Sequence, residues 1–168
     1  NPVTDALPAW TGDTAALRAV QDELARKVVI RDDFPKPLRT VAGFDVGFED
    51  DGATTRAAAV LLDADTLEVI DQQVARAPTR MPYIPGLLGF RELPALLEAL
   101  AMLERAPDLA FIDGHGIAHP RRLGIASHLG LLLDIPSIGV AKTRLVGTHR
   151  EVPDKRGAWV PLKVGKET

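Results

Sequence analysis

Three strand-like runs follow one another early in the chain, and they limit the fold more than any other feature. They cover residues 41–48, 56–62 and 67–77, and short segments rich in Asp, Gly and Thr separate them. Connections this short join antiparallel strands, because a crossover between parallel strands needs a dozen or more residues. The sequence therefore predicts a three-stranded antiparallel meander within one sheet.

Helices and strands alternate around this meander. Apolar residues three or four apart predict a helix over 13–28 before it, and helices over 87–105 and 122–133 that precede strands at 109–112 and 137–141. A helix between two strands permits a parallel crossover. This order favours an α/β fold of the ribonuclease-H type, with a mixed sheet of three antiparallel and then parallel strands, and helices on both faces. No G-x-G-x-x-G follows the first strand, which disfavours the Rossmann class.

Composition favours a single globular domain. The chain has 168 residues, 46% hydrophobic and 26% charged, which are ordinary values for one folded unit. We expect one domain over 1–168, with an irregular lead-in over 1–12. The absence of cysteine excludes disulfides and thiol catalysis. No apolar run approaches the ~20 residues of a membrane-spanning helix, so we expect a cytoplasmic chain that does not bind membranes.

The net charge of −3 argues, taken alone, against a strongly basic nucleic-acid-binding protein. The charge is unevenly distributed, however. Residues 114–150 hold five basic side chains and one acidic side chain, and therefore carry +4. One surface can thus be basic enough for phosphate contacts, for which Arg121 and Arg122 are the candidates. Chance variation in surface charge is the alternative explanation.

Three carboxylates are candidates for chemistry. Asp45 lies inside the first predicted strand, Asp113 ends a later strand, and Glu92 lies on the helix after a proline-rich loop. Each also has an ordinary structural interpretation, as an exposed strand, turn or helix residue. If the three converge, they repel one another unless a cation lies between them, and oxygen ligands favour Mg²⁺ or Mn²⁺. Such a site suits phosphodiester hydrolysis.

Two loops add further polar and aromatic candidates. The run GHGIAHPRR at 114–122 follows Asp113, at the strand end where open α/β sheets bind ligands. A zinc pair of His115 and His119 is a weaker alternative there, because the run is a loop and not a helix. The single tyrosine, Tyr83, lies in a PYIP loop. It is either a packed turn residue or a wedge between bases, and spacing leaves both open.

Four segments together resemble the endonuclease V family. They are AGFDVGF at 42–48, MPYIPGLLGFRE at 81–92, IDGHGIAHPRRLGIASHLG at 112–130 and IGVAKTRL at 138–145. The resemblance extends over residues 14–162. It implies a ribonuclease-H-like fold and a Mg²⁺-dependent endonuclease of DNA repair, in which Mn²⁺ can substitute. Such an enzyme nicks DNA at the second phosphodiester bond 3′ to a deaminated base, chiefly hypoxanthine.

The resemblance also assigns residues to roles. It implies metal ligation by Asp45, Glu92 and Asp113, and positive charge near the scissile phosphate from His119 and Lys142. A wedge that separates the strands is implied for Tyr83 with its neighbours Pro82, Ile84 and Pro85. A pocket for the flipped base is implied for Gly86, Leu88, Gly114 and Gly124. Glycines there let backbone N–H groups approach the base, and such a donor favours hypoxanthine O6 over the amino group of adenine.

The family has a further C-terminal strand and helix, with an additional acidic or histidine residue at the metal site, which these 168 residues do not contain. We therefore expect a fragment of a longer, monomeric enzyme that binds DNA containing deaminated bases. Two alternatives stay open. One is a catalytically impaired fragment that only binds the lesion. The other is a ribonuclease specific for inosine in RNA.

Overall fold

Five strands form one mixed sheet in the computed structural model, which describes residues 7–168. The strands are β1 (Thr40–Glu49), β2 (Thr54–Asp63), β3 (Val69–Pro78), β4 (Leu109–Asp113) and β5 (Ser137–Val140). The helices are α1 (Thr14–Ala25), α2 (Leu88–Met102) and α3 (Ile125–Leu133), and a short 3-10 turn covers Asp50–Gly52. Of the expected irregular lead-in, residues 7–12 form no helix or strand, and residues 1–6 lie outside the described part of the chain.

The strand order is β3-β2-β1-β4-β5. β1, β2 and β3 pair antiparallel, whereas β4 is parallel to β1 and β5 is parallel to β4. This topology confirms the predicted ribonuclease-H-like α/β fold. β3 begins two residues later than predicted because a turn precedes it, in which Asp63 Oδ1 accepts hydrogen bonds from the N–H groups of Asp65 and Thr66, each at 2.9 Å.

Local backbone chemistry determines where the helices begin. Asp13 caps α1, since its Oδ1 accepts a hydrogen bond from the Ala16 N–H at 3.0 Å. α3 begins at Ile125 and not at residue 122, because Arg122 has a φ of +60° that a helix does not allow. No helix within residues 7–168 has both the length and the apolar character needed to cross a membrane.

The main core lies between one face of the sheet and two helices. Phe44 of β1 and Leu61 of β2 are buried against Leu96 of α2, and Leu129 of α3 belongs to the same cluster. Helices were expected on both faces, but α2 and α3 pack on this one face, and α1 contacts α3 instead of a strand. A hydrophobic pattern identifies the buried side of a helix but not the sheet face that it covers.

Candidate active site

Two adjacent parallel strands bring Asp45 and Asp113 to the same place. β1 and β4 pair with Phe44 opposite Ile112, and the two aspartates are the next residues along each strand. β4 ends at Asp113, and the carboxyl ends of parallel strands are where ligands bind in such folds, whereas β1 continues to Glu49 in its pairing with β2. Asp45 is exposed and Asp113 is partly exposed, so both carboxylates can reach a ligand.

Helix α2 adds Glu92, whose side chain is buried near the aspartates. Only 8% of the residue is exposed, and Oε2 has no hydrogen-bond partner in the part of the chain that the structure describes. Burial raises the pKa of Glu92 to about 7, and the negative charges of Asp113 and Asp45 add to this effect, while Arg91 opposes it. A buried carboxylate without a partner is unfavourable. A cation between the three carboxylates would remove that cost.

Lys142 supplies positive charge beside these carboxylates. It follows β5, and its Nζ donates to Asp113 Oδ2 at 2.6 Å. This hydrogen bond and the Asp113 charge raise the pKa of Lys142. The Lys142 side chain is 80% exposed, so the ammonium group can turn from Asp113 to an incoming anion without loss of packing.

A cavity of about 330 Å³ opens beside the carboxylates, near the lower end of the usual size range for small-molecule pockets. All three carboxylates and Lys142 line it. The predicted base-pocket residues line it as well, namely Gly86, Leu88, Gly114 and Gly124. The structure therefore joins the predicted metal site and the predicted base pocket in one space.

Gly124 shapes this cavity through close backbone packing. A Cβ atom at residue 124 would lie 2.2 Å from the His115 carbonyl oxygen, far inside van der Waals contact. Two hydrogen bonds join the same segments, from the Gly124 N–H to the Gly116 carbonyl at 2.8 Å and from the Ala126 N–H to the His115 carbonyl at 3.0 Å. Only glycine lets the start of α3 approach the loop after β4 this closely.

The PYIP segment, residues 82–85, forms an exposed loop at the mouth of the cavity, which we call the wedge loop. Tyr83 is 61% exposed, and it lines the cavity together with Pro85. Ile84 is half-buried against a small cluster that contains Leu17 and Leu87. The loop is thus held at its base and presents its aromatic side chain to solvent.

Both ring nitrogens of His119 form hydrogen bonds within the protein. Nε2 donates to the Gly86 carbonyl at 2.9 Å, and Nδ1 accepts from the Arg121 backbone N–H at 3.0 Å. This pattern requires a neutral ring, and burial lowers the pKa of His119 accordingly. The positive charge that was expected of His119 is therefore disfavoured, and Lys142 is the predicted cation that lies at the carboxylates.

The alternative of a zinc pair finds no support in these contacts. His115 and His119 each place Nε2 on a backbone carbonyl, that of Thr143 at 2.8 Å and that of Gly86 at 2.9 Å. Within residues 7–168, no three His, Asp or Glu side chains are already arranged as ligands of a metal ion. The three carboxylates share a cavity, but Asp113 is turned toward Lys142.

Comparison with known proteins identifies the family. The family model for Endonuclease V matches residues 22–168. The chain belongs to the endonuclease V family. An endonuclease V of Azotobacter vinelandii is 63% identical over 153 residues, which cover 91% of this chain and 69% of that protein. One from Xanthomonas campestris is 61% identical over 153 residues, and the chain spans 65% of its length.

A solved endonuclease V also has the same fold. The Streptomyces avermitilis protein superposes with a TM-score of 0.86 at 42% identity, and the match covers 96% of this chain and 70% of that one. The Ciona intestinalis enzyme was solved with a 23mer DNA containing an inosine followed by a ribo-adenosine. It matches with a TM-score of 0.74 at 28% identity over 83% of this chain and 61% of that one.

Arg121 and Arg122 are the predicted phosphate contacts, a prediction that their position in the fold leaves untested. Neither lines the cavity. The Arg121 guanidinium donates to the Gly86 carbonyl at 3.1 Å and also to Gln21. Arg122 forms an ion pair with Glu167. Their guanidinium groups are therefore engaged within the protein.

Two residues that contact site residues, Thr143 and Gln21, were not identified from the sequence. Thr143 lines the cavity beside His115, whose Nε2 donates to the Thr143 carbonyl. Gln21 is 1% exposed on α1, four residues after the buried Leu17. A polar side chain within the apolar stripe of a helix was the available signal for Gln21. No comparable signal distinguished Thr143.

Proposed function

We propose that this chain forms part of a Mg²⁺-dependent endonuclease that initiates repair of deaminated DNA. It would nick the strand at the second phosphodiester bond 3′ to the lesion, chiefly hypoxanthine. The observation that carries the proposal is the convergence of Asp45, Glu92 and Asp113 at one cavity beside an exposed lysine. Membership of the endonuclease V family supports the same reaction class.

The donor set of the site fits Mg²⁺. All three candidate ligands are carboxylates, the oxygen donors that this ion prefers. Glu92 Oε2 is buried without a hydrogen-bond partner, and Asp113 already accepts a positive group at 2.6 Å. Rotation of Asp113 away from Lys142 would complete the ligand set. When bound, the ion would supply charge stabilisation and a lower pKa for an attacking water, and Mn²⁺ accepts the same ligands.

The protein groups have distinct tasks in this mechanism. Asp45 and Asp113 lie on rigid strands and would hold the ion at a fixed position. Glu92 carries a proton on its carboxyl group for part of the time at neutral pH, since its pKa is about 7, and it would release that proton on ion binding. Lys142 Nζ, freed from Asp113, would donate to a phosphate oxygen where negative charge develops.

Base recognition is proposed for the cavity between the wedge loop and α3. Its volume of about 330 Å³ suits a single flipped base. Hypoxanthine presents O6 as an acceptor where adenine presents an amino donor, so a backbone N–H there separates the two bases. The relative from Ciona intestinalis, solved with inosine-containing DNA, supports this class of substrate.

A second candidate substrate is inosine in RNA, which the ribo-adenosine after the inosine in the Ciona complex favours. One experiment separates the two. The chain is given equal amounts of DNA and RNA oligonucleotides that share one sequence with one inosine, and the products are mapped with Mg²⁺ and with EDTA. We expect a single Mg²⁺-dependent nick in the DNA, two bonds 3′ to the lesion. Preferential RNA cleavage would assign the second substrate.

A binding measurement and a reaction at high Mn²⁺, added to this experiment, test the alternative of a catalytically impaired, lesion-binding protein. Retained binding of inosine DNA with no product at high Mn²⁺ would contradict catalysis by this chain. Oligonucleotides that carry adenosine in place of inosine serve as the control. Equal cleavage of both would contradict lesion recognition.

Replacement of Tyr83 with alanine should weaken lesion engagement. An aromatic side chain stacked on a base contributes about 1–3 kcal/mol, so we expect the Kd for an inosine duplex to rise about tenfold. The Mg²⁺ concentration that gives half-maximal nicking should not change, because Tyr83 is not a candidate metal ligand. Trp159→Ala is the matched control, since Trp159 is 77% exposed and does not line the cavity. Unchanged affinity of the Tyr83 variant would exclude a wedge.

A further inference from the structure

A buried polar network holds the residue that follows the wedge loop. The Gly86 carbonyl oxygen accepts hydrogen bonds from Gln21 Nε2 at 2.8 Å, His119 Nε2 at 2.9 Å and Arg121 Nη2 at 3.1 Å. These donors lie 65, 33 and 35 residues away along the chain. One peptide group is thus fixed from α1 and from the loop before α3.

The three donors also orient one another. Arg121 Nε donates to Gln21 Oε1, and the Arg121 backbone N–H donates to His119 Nδ1 at 3.0 Å. Gln21 and His119 are only 1% and 5% exposed. A buried network whose polar groups are satisfied favours one geometry, because any displacement leaves a buried donor or acceptor unpaired.

The backbone at Gly86 is adapted to this network. Gly86 has a φ of +83°, and a Cβ atom there would lie 2.6 Å from Arg121 Nη2. Any other residue would be strained and would displace the guanidinium group. Apolar contacts hold the same region, since Leu17 of α1 belongs to a buried cluster with Met81 and Leu87, on either side of the wedge loop.

Gln21 lies outside the cavity, whereas Gly86 and Tyr83 line it. We propose that Gln21 is a positioning residue, which through the Gly86 carbonyl sets where the wedge loop and the adjoining cavity wall stand relative to the carboxylates. This inference rests on the proposed function. It assigns to Gln21 an effect on lesion engagement and discrimination, and none on metal binding or on bond cleavage.

The variant Gln21→Met tests this role, because methionine keeps the length and the packing but removes both hydrogen bonds. We expect KM for an inosine duplex to rise about tenfold while kcat stays within about twofold. The lost interaction would contribute equally to binding of the ground state and of the transition state, so its removal weakens binding without slowing the chemical step. Preference for inosine over undamaged duplex should fall. The control Gln72→Met, at an exposed position of β3, should match the wild-type chain.

Hydrogen exchange without DNA provides an independent readout. The Leu87 N–H donates to the Ile84 carbonyl at 3.0 Å and closes the wedge loop. In Gln21→Met, exchange across residues 82–90 should accelerate about tenfold while α2 beyond residue 93 and the sheet stay protected. If methionine prevents folding, Gln21→Glu is used, which keeps the acceptor for Arg121 and removes the donor to Gly86.

Three outcomes would overturn the inference. Unchanged exchange at 82–90 in a folded variant shows that Gln21 does not hold the loop. A fall in kcat at constant KM, or a shifted Mg²⁺ midpoint, places its effect elsewhere. A purely structural role of Gln21 predicts the fall in apparent kcat at unchanged KM, because fewer molecules would then be active. If the wild-type chain fails to nick inosine DNA, the proposed function fails, and the exchange measurement still decides whether Gln21 positions the loop.

Discussion

Replacing Asp45 or Asp113 with alanine should abolish the proposed Mg²⁺-dependent nicking of an inosine-containing duplex. Each aspartate directly follows the last residue pair between β1 and β4 and is itself paired with a neighbouring strand, so no other side chain can take its place without movement of the backbone. Loss of a ligand forfeits several kcal/mol of charge stabilisation at the transition state, which corresponds to a rate reduction of about a thousandfold or more. Nicking of a labelled oligonucleotide under single-turnover conditions measures the effect.

The folded state should survive both substitutions. Within residues 7–168, the Asp45 carboxylate accepts a hydrogen bond only from the Val46 N–H, at 2.9 Å, and the Asp113 carboxylate only from Lys142, so neither side chain supports the core. Asp65→Ala, in the exposed turn between β2 and β3, is the matched control and should cleave like the wild-type chain. Cleavage by either active-site variant within about tenfold of wild type would contradict the assigned roles.

Replacing Glu92 with glutamine should stabilise the metal-free protein at alkaline pH and remove the proposed response to Mg²⁺. The pKa of Glu92 is raised from 4.5 to about 7 in the folded state. Between these values the folded chain binds more protons than the unfolded chain, so its stability falls as the pH rises from 4.5 to 7. The loss amounts to at most about 3 kcal/mol. Glutamine carries no charge and avoids that loss.

Urea denaturation in EDTA at pH 5 and pH 8 checks this result. The gain in free energy of unfolding from Glu92→Gln should be much larger at pH 8 than at pH 5. Glu98→Gln is the control, because Glu98 is exposed on the same helix. A gain of the same size at both pH values would show that the carboxylate charge is not responsible.

Mg²⁺ should raise the thermal midpoint of the wild-type chain more at pH 8 than at pH 6, because protons compete with the ion for Glu92. The Glu92→Gln variant should lose most of this shift, whereas Glu98→Gln should retain it. An equal Mg²⁺ shift in the Glu92 variant would remove Glu92 from the ligand set and leave the aspartates as the candidate ligands.

Local sequence patterns predicted most of the fold. The limits of β1 and β2 lie within two residues of those predicted, because alternating burial and turn residues act over short stretches of chain. The start of α3 was misplaced by three residues, since a positive φ at Arg122 leaves no mark on a hydrophobic pattern. The arrangement of both α2 and α3 on one sheet face was also beyond local analysis.

Local sequence patterns placed Asp45 inside the first strand and Asp113 at the end of a later strand, because strand periodicity acts over a few residues, and the family motifs added the roles. Only the tertiary structure decided that Glu92 is buried beside them with a raised pKa. It also decided that Arg121 turns inward to Gln21 and Gly86. These outcomes depend on contacts between residues up to 100 positions apart. Burial and hydrogen bonding at such separations exist only once the chain has folded.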